Sequence, residues 1–263
     1  MVIDFLKDPA LLEKVRTNSA YQPILEHLKT EYAENKEIAF EVLRFSTRKI
    51  YEQTGSRWEF EQPYFARRSF LAAGALLALI YPEENEYLVN TEDALWAICD
   101  EFCWVLPAHT CGSLHDAETI NDLFSSETAS ALAEIITLLK ERLDERVYTR
   151  VVRELERRVF AAFENRRYAW EGGTGNWPAV CIGNIARAMM LISPKRFDRC
   201  LPRFMESMQS FLDSYPDDGT CLEGLSYWQY GFGNFVWFAD ALYRYTDGKT
   251  DLFDNPKVER IAT

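Results

Sequence analysis

Two short runs of the chain gather side chains able to hold a sugar and move a proton. The run 175–181 (GNWPAVC) sets the amide of Asn176 and the indole of Trp177 just ahead of a proline. The run 218–231 (DGTCLEGLSYWQYG) carries the carboxylates Asp218 and Glu223 and the phenols Tyr227 and Tyr230. A phenol with an ordinary pKa near 10 suits proton donation to a leaving group, and as a base it needs a nearby cation or strong hydrogen bonds. Two carboxylates flanking a glycosidic bond would hydrolyse it, whereas a groove lined by Trp and Tyr can bind sugar by stacking without reaction. A third run, 96–109 (WAICDEFCWVLPAH), ends in Trp104 and His109.

Each of these residues also has a structural alternative. Asn176 is equally suited to cap the helix that follows it, and Tyr227 to be a core tyrosine. Tyr230 reads better as a packing or positioning residue than as a catalyst. Glu223 either orients Tyr227 or caps a helix beginning at Ser226. His109 is a substrate contact or a satisfied structural histidine, while His27 and His115 read as surface residues. The six cysteines include no CxxC pair, and no His or Cys cluster completes a tetrahedral site, so neither metal nor cofactor is called for. Reduced thiols, and a start that lacks a basic segment followed by an apolar one, point to the cytoplasm, or to a secreted or periplasmic setting if a signal was removed.

These residues need a framework, and the composition supplies one. With 263 residues, 48% of them apolar, and 7 Trp, 13 Tyr and 17 Phe, the chain can bury a sizeable core. Its 41 acidic and 29 basic residues leave a net charge of −12. That argues against nucleic acid and anionic membranes as partners. The longest apolar run, 70–81, is too short to span a bilayer and reads as a buried helix.

Hydrophobic spacing at three and four predicts an all-α chain of about ten helices, near 4–16, 22–33, 36–53, 64–81, 91–104, 122–142, 145–165, 178–193, 196–213 and 226–246. Thr91 and Asn121 are the expected N-caps of two of them. Short connections predict antiparallel helical hairpins. On the last long helix, Tyr227, Tyr230, Asn234 and Trp237 fall near one face. Trp228, Gly231, Phe235, Phe238, Leu242 and Tyr245 form a neighbouring stripe that should be core.

Together the Asn-Trp turn and the E-G-x-x-Y-W-x-Y-G turn resemble the N-terminal helical domain of the heparinase II/III-like polysaccharide lyases, and Trp104 to His109 is similar to that family's W-x-L-P-x-H stretch. The resemblance covers roughly residues 60–250. It implies an incomplete (α/α) toroid of helical hairpins, a single domain over 1–263, around a groove for an acidic polysaccharide or oligosaccharide. It also implies that this domain is the first of a longer protein whose C-terminal β-sandwich region supplies further site residues.

Such lyases, which are carbon–oxygen lyases, cleave uronate-containing glycans by β-elimination. A base removes the C5 proton, the carboxylate is neutralised, and an acid protonates the departing O4. By resemblance Asn176 would serve the carboxylate and Tyr227 would be base, acid or both, with Arg166 and Arg167 as possible helpers. Trp177, Tyr230, His109, Trp104 and Glu223 would bind substrate. Several relatives have a His where this chain has Trp177, which favours one tyrosine serving both steps of a syn elimination and gives Trp177 a stacking role. Two other readings stand beside the lyase: a helical-toroid glycoside hydrolase using Asp218 and Glu223, and a non-catalytic carbohydrate-binding domain.

Overall fold

The computed structural model describes residues 2–111 and 113–263, and every regular element among them is a helix. In chain order these are α1 (Pro9–Thr17), α2 (Gln22–Asn35), α3 (Phe45–Thr54), α4 (Trp58–Ile80), α5 (Asn85–Asp100), α6 (Leu123–Leu138), α7 (Glu145–Leu155), α8 (Ala161–Asn165), α9 (Trp177–Ile192), α10 (Pro194–Asp213), α11 (Leu225–Tyr245) and α12 (Pro256–Ala262). A π turn over Glu156–Phe160 joins α7 to α8. No described helix is long and apolar enough to cross a membrane.

The chain divides into two compact units. One comprises Ile3–Ile120 and Ala131–Glu156, and the other is built mainly from Asn121–Ser130 and Arg157–Thr263. In the first, α4 is the central helix and packs against α2 and α5. Tyr64, Phe70, Leu71, Leu77 and Ala78 of α4 are buried with Leu95, Ile98 and Cys99 of α5. At their contact Gly74 matters, because a Cβ there would meet the Thr91 hydroxyl at 3.2 Å. In the second unit α9 packs against both α10 and α11. Its core is aromatic, with Phe197, Phe204 and Phe211 of α10 beside Phe235 and Phe238 of α11. The stripe read from the sequence is indeed the inner face of α11: Gly231, Phe235, Phe238 and Leu242 are buried, and the partly covered Trp228 donates its indole N–H to the Ile261 carbonyl at 2.9 Å.

Several helix limits differ from the sequence reading, each for a local reason. The helix expected over 36–53 is broken, and only a short 3-10 turn (Ile38–Phe40) precedes α3. The Arg67 guanidinium takes the Ala39 and Glu41 carbonyls at 2.6 Å each, so they are not available to continue a helix. Thr91 is no cap, because α5 begins six residues before it. Its hydroxyl donates to the Tyr87 carbonyl within the helix at 2.7 Å. α5 also stops at Asp100, short of the expected 104, and the next residue, Glu101, is buried in ion pairs with Arg67 and Arg68 at 2.8 Å each. Asp122 rather than Asn121 caps α6: its Oδ1 accepts from the Ser125 N–H at 2.7 Å and its own N–H donates to the Ser125 hydroxyl at 2.8 Å, a reciprocal capping box. α4 starts before Pro63 instead of after it, its first turns braced by Ser56 on Glu59 at 2.6 Å and Arg57 on Glu61 at 2.5 Å.

Candidate functional site

The second unit brings two distant turns together. Gly175 lies in the left-handed region at φ 103°, and a Cβ there would sit 3.0 Å from both carboxylate oxygens of Glu223. Next to it, Asn176 occupies the N-cap position of α9, yet its side chain makes no capping hydrogen bond. Asn176 lies against Gly231 of α11, whose Cβ, were there one, would meet the Asn176 Cβ at 3.0 Å. Further along, Gly183 lies against the Asn234 backbone carbonyl, and the Asn184 amide donates to Asn234 Oδ1 at 2.8 Å. Contacts 176 to 231 and 183 to 234 advance in the same sense, so α9 and α11 run in the same direction and their N-termini share one end.

At that end the side chains differ sharply in freedom. Asn176 is 4% exposed, and its Oδ1 is buried without a hydrogen-bond partner among the described residues. A polar atom left so is costly and marks a place where a ligand group or water belongs. Tyr227, in the first turn of α11, is 51% exposed, so it is not the core tyrosine of the alternative reading. Glu223 is exposed in the loop before α11 and does not cap it: Gly224 holds the N-cap position, without a side-chain hydrogen bond. Trp177 is partly covered and packs on a cluster of Leu123, Val180 and Cys181.

Tyr230 is held from below. Its hydroxyl donates to Glu127 Oε1 at 2.7 Å, and burial together with that carboxylate pushes the phenol far above its usual 10. It is a proton-bearing phenol fixed by that bond. Asn234 extends the same line, donating to the Tyr230 carbonyl at 3.0 Å. Behind them Cys181 is buried, and loss of solvent drives its thiol well above the usual value. A surface groove of about 790 Å³ follows this face of α11 past Glu127, Gln229, Tyr230, Asn234 and Trp237. Trp237 is 60% exposed, with the Arg187 guanidinium 5.3 Å from its ring centroid.

The remaining expected site residues lie elsewhere. Trp104 belongs to the other unit and is a core residue: its ring is 2% exposed, its indole N–H donates to the Ile98 carbonyl at 3.0 Å, and its own carbonyl accepts from Tyr64 at 2.7 Å. Packing has taken the face expected to meet sugar. His109, also in that unit, ends a 3-10 turn over Pro107–His109 and is partly exposed. Arg167 is engaged by Glu171 at 3.2 Å and Glu206 at 3.4 Å, and the Arg166 guanidinium lies 6.0 Å from the Tyr168 ring centroid. Asp218 closes a turn by accepting the Thr220 N–H at 2.9 Å, which lowers its pKa, the opposite of what a general acid needs.

Glu127, Asn184 and Arg187 were not singled out in the sequence. Glu127 gives a faint signal as one of two carboxylates, with Glu134, on a helix whose other residues are apolar or hydroxyl-bearing. Asn184 sits two turns after Asn176 on the same helix. No protein-family model matches the chain, and no curated protein matches it. Among the described residues no cluster of three or more His, Cys, Asp or Glu side chains is set to hold a metal ion.

Proposed function

We propose that this chain is the helical, toroid-forming part of a polysaccharide lyase that cleaves uronate-containing glycan by β-elimination along the α9–α11 face. The observation that carries this reading is the meeting of the Gly175-Asn176 turn with the Glu223–Tyr227 turn, two segments more than forty residues apart in sequence. Two helix N-termini at one end favour an anionic group such as a uronate carboxylate, which offsets in part the net charge of −12. The unsatisfied Asn176 Oδ1 is an acceptor, suited to a sugar hydroxyl beside that carboxylate rather than to the carboxylate itself. Tyr227, exposed in the first turn of α11, is suited to protonate the leaving oxygen, and the Tyr230 bond to Glu127 fixes the next turn of that helix.

The test is formation of the unsaturated, ultraviolet-absorbing product from polyuronates and glycosaminoglycans. Tyr227→Phe is expected to lower the rate by roughly 10²-fold or more, with oligosaccharide affinity retained. A wild-type rate in that variant removes Tyr227 from the mechanism.

Carbohydrate binding without reaction is the second reading, and one observation favours it. Trp237 offers a broadly exposed indole in the groove, the arrangement a stacking site needs. Binding that depends on Trp237, with no product from any uronate polymer, supports this reading over the lyase.

A further inference from the structure

The unit formed by residues 3–120 and 131–156 has its own pocket, which shares no residue with the α9–α11 groove. It has a volume of about 240 Å³ and is walled by Leu43, Phe45, Phe60, Phe102 and Leu114. Phe45, Phe102 and Leu114 are exposed, so the pocket opens to the surface. Into this apolar setting α3 contributes Arg48, which is only 5% exposed. Arg48 Nη1 donates weakly to the Val105 carbonyl at 3.3 Å, and its guanidinium lies 5.5 Å from the Phe60 ring centroid. Its Nε and Nη2 are buried with no partner among the described residues.

Those two nitrogens are informative as a pair. Nε–H and the adjacent Nη2–H point the same way along one edge of the guanidinium, the edge that grips both oxygens of a carboxylate. A guanidinium cannot shed its proton, so burial without an anion leaves a charge uncompensated. The local acid does not supply one: Glu101 lines the pocket, but Arg67 Nη1 holds its Oε1 at 2.8 Å and Arg68 Nη2 holds its Oε2 at 2.8 Å. Arg44 at the rim adds a further positive charge. The charges facing the cavity therefore favour an anion, while its walls favour an apolar body.

We infer that this pocket binds a small organic monocarboxylate, its apolar body against Phe45, Phe60, Phe102 and Leu114 and its carboxylate met by the Nε–Nη2 edge of Arg48, an edge sealed from solvent in this structure that turns toward the cavity for the pairing. A volume below the roughly 300–1,000 Å³ of drug-sized sites restricts the ligand to a compact acid. The walls offer few polar groups to the hydroxyls of a sugar acid, which separates this site from a uronate subsite. An inorganic phosphate would bring more charge than one free edge can match.

Calorimetric titration of the chain with phenylacetate tests the assignment, with phenylacetamide, glucuronate and inorganic phosphate as controls. Phenylacetate is expected to bind at millimolar concentration or better, and each control at least roughly tenfold more weakly. Arg48→Lys keeps the charge but loses the two-pronged edge and should weaken phenylacetate by roughly tenfold or more. Leu114→Trp, at an exposed rim position, should block entry without disturbing the fold and decides the matter if the Arg48 variant does not fold. The inference is overturned by absence of phenylacetate binding, by phenylacetamide or glucuronate binding as tightly, by preference for phosphate, or by wild-type affinity in folded Arg48→Lys or in Leu114→Trp.

Discussion

Two arginines, one in each unit, are set against phenylalanine rings, and their partners could hardly differ more. Arg203 lies 3.6 Å from the Phe163 ring centroid, with 12% of its side chain exposed. Its Nε and Nη2 hold the two oxygens of Glu171 at 2.7 and 2.6 Å, and its Nη1 and Nη2 also reach the Phe163 and Arg166 carbonyls at 2.5 and 2.6 Å. Arg48, with the same chemistry and deeper burial, has one long bond to a carbonyl and two idle nitrogens. The contrast separates a structural cation from one waiting for a ligand. A buried guanidinium is stabilising only where an anion and carbonyls meet its donors, and otherwise an external anion has to do so.

The sharpest way to break the comparison is to remove both side chains. Arg203→Met leaves the Glu171 carboxylate, 6% exposed, with only the Tyr168 N–H and the largely exposed Arg167, and should cost about 3 kcal/mol of stability by urea denaturation at neutral pH. Arg48→Met replaces an unpaired cation by an apolar chain and should stay within about 1 kcal/mol of the parent, the lost bond to Val105 offsetting the relief. Equal losses in the two variants would mean that Arg48 is as structural as Arg203.

Acidification gives a second, smaller contrast. Burial alone would raise the Glu171 pKa, but the Arg203 bonds and the Tyr168 N–H at 2.6 Å outweigh it, and the carboxyl is held below the ordinary 4.5. A depressed folded-state pKa contributes stability that is present above the unfolded value and lost as pH falls through the folded one. As the pH falls below the ordinary carboxylate value of 4.5 and on through the lower folded-state value, the parent should therefore lose a component of stability that Glu171→Gln lacks. Arg48→Met should keep that acid-side loss. A modest loss is expected at Tyr230→Phe, which leaves Glu127 without its phenol and should cost about 1 kcal/mol, read from the thermal midpoint.

Much of the framework was legible because burial on a helix repeats locally. The inner stripe of α11 from Gly231 to Leu242 and the span of α9 follow directly from spacing at three and four. Helix ends were less legible where a remote group competes for the backbone. The Arg67 guanidinium on the Ala39 and Glu41 carbonyls has no signal in the local sequence. Nor did Thr91 announce that its hydroxyl turns inward on α5. At the candidate site, Asn176, Tyr227, Tyr230 and Glu223 were chosen by type and order; the structure sets the Gly175-Asn176 turn against Glu223 and Gly231, and ties Tyr230 to Glu127. Trp104 was chosen on the same grounds and is in the core, because a tryptophan's amphipathic ring serves packing as readily as stacking.

The order of apolar and polar residues alone was enough for an all-helical chain with a large aromatic core, since periodicity and composition report local burial. Which turn meets which, and which arginine finds an acid, was decided only by packing between elements distant in sequence. Gly175 reaches Glu223 across forty-eight positions, and Arg203 reaches Glu171 across thirty-two, while nothing comparable reaches Arg48. Such pairings depend on where each helix axis is placed by its neighbours. That information is carried by the fit of whole faces rather than by any one run of residues.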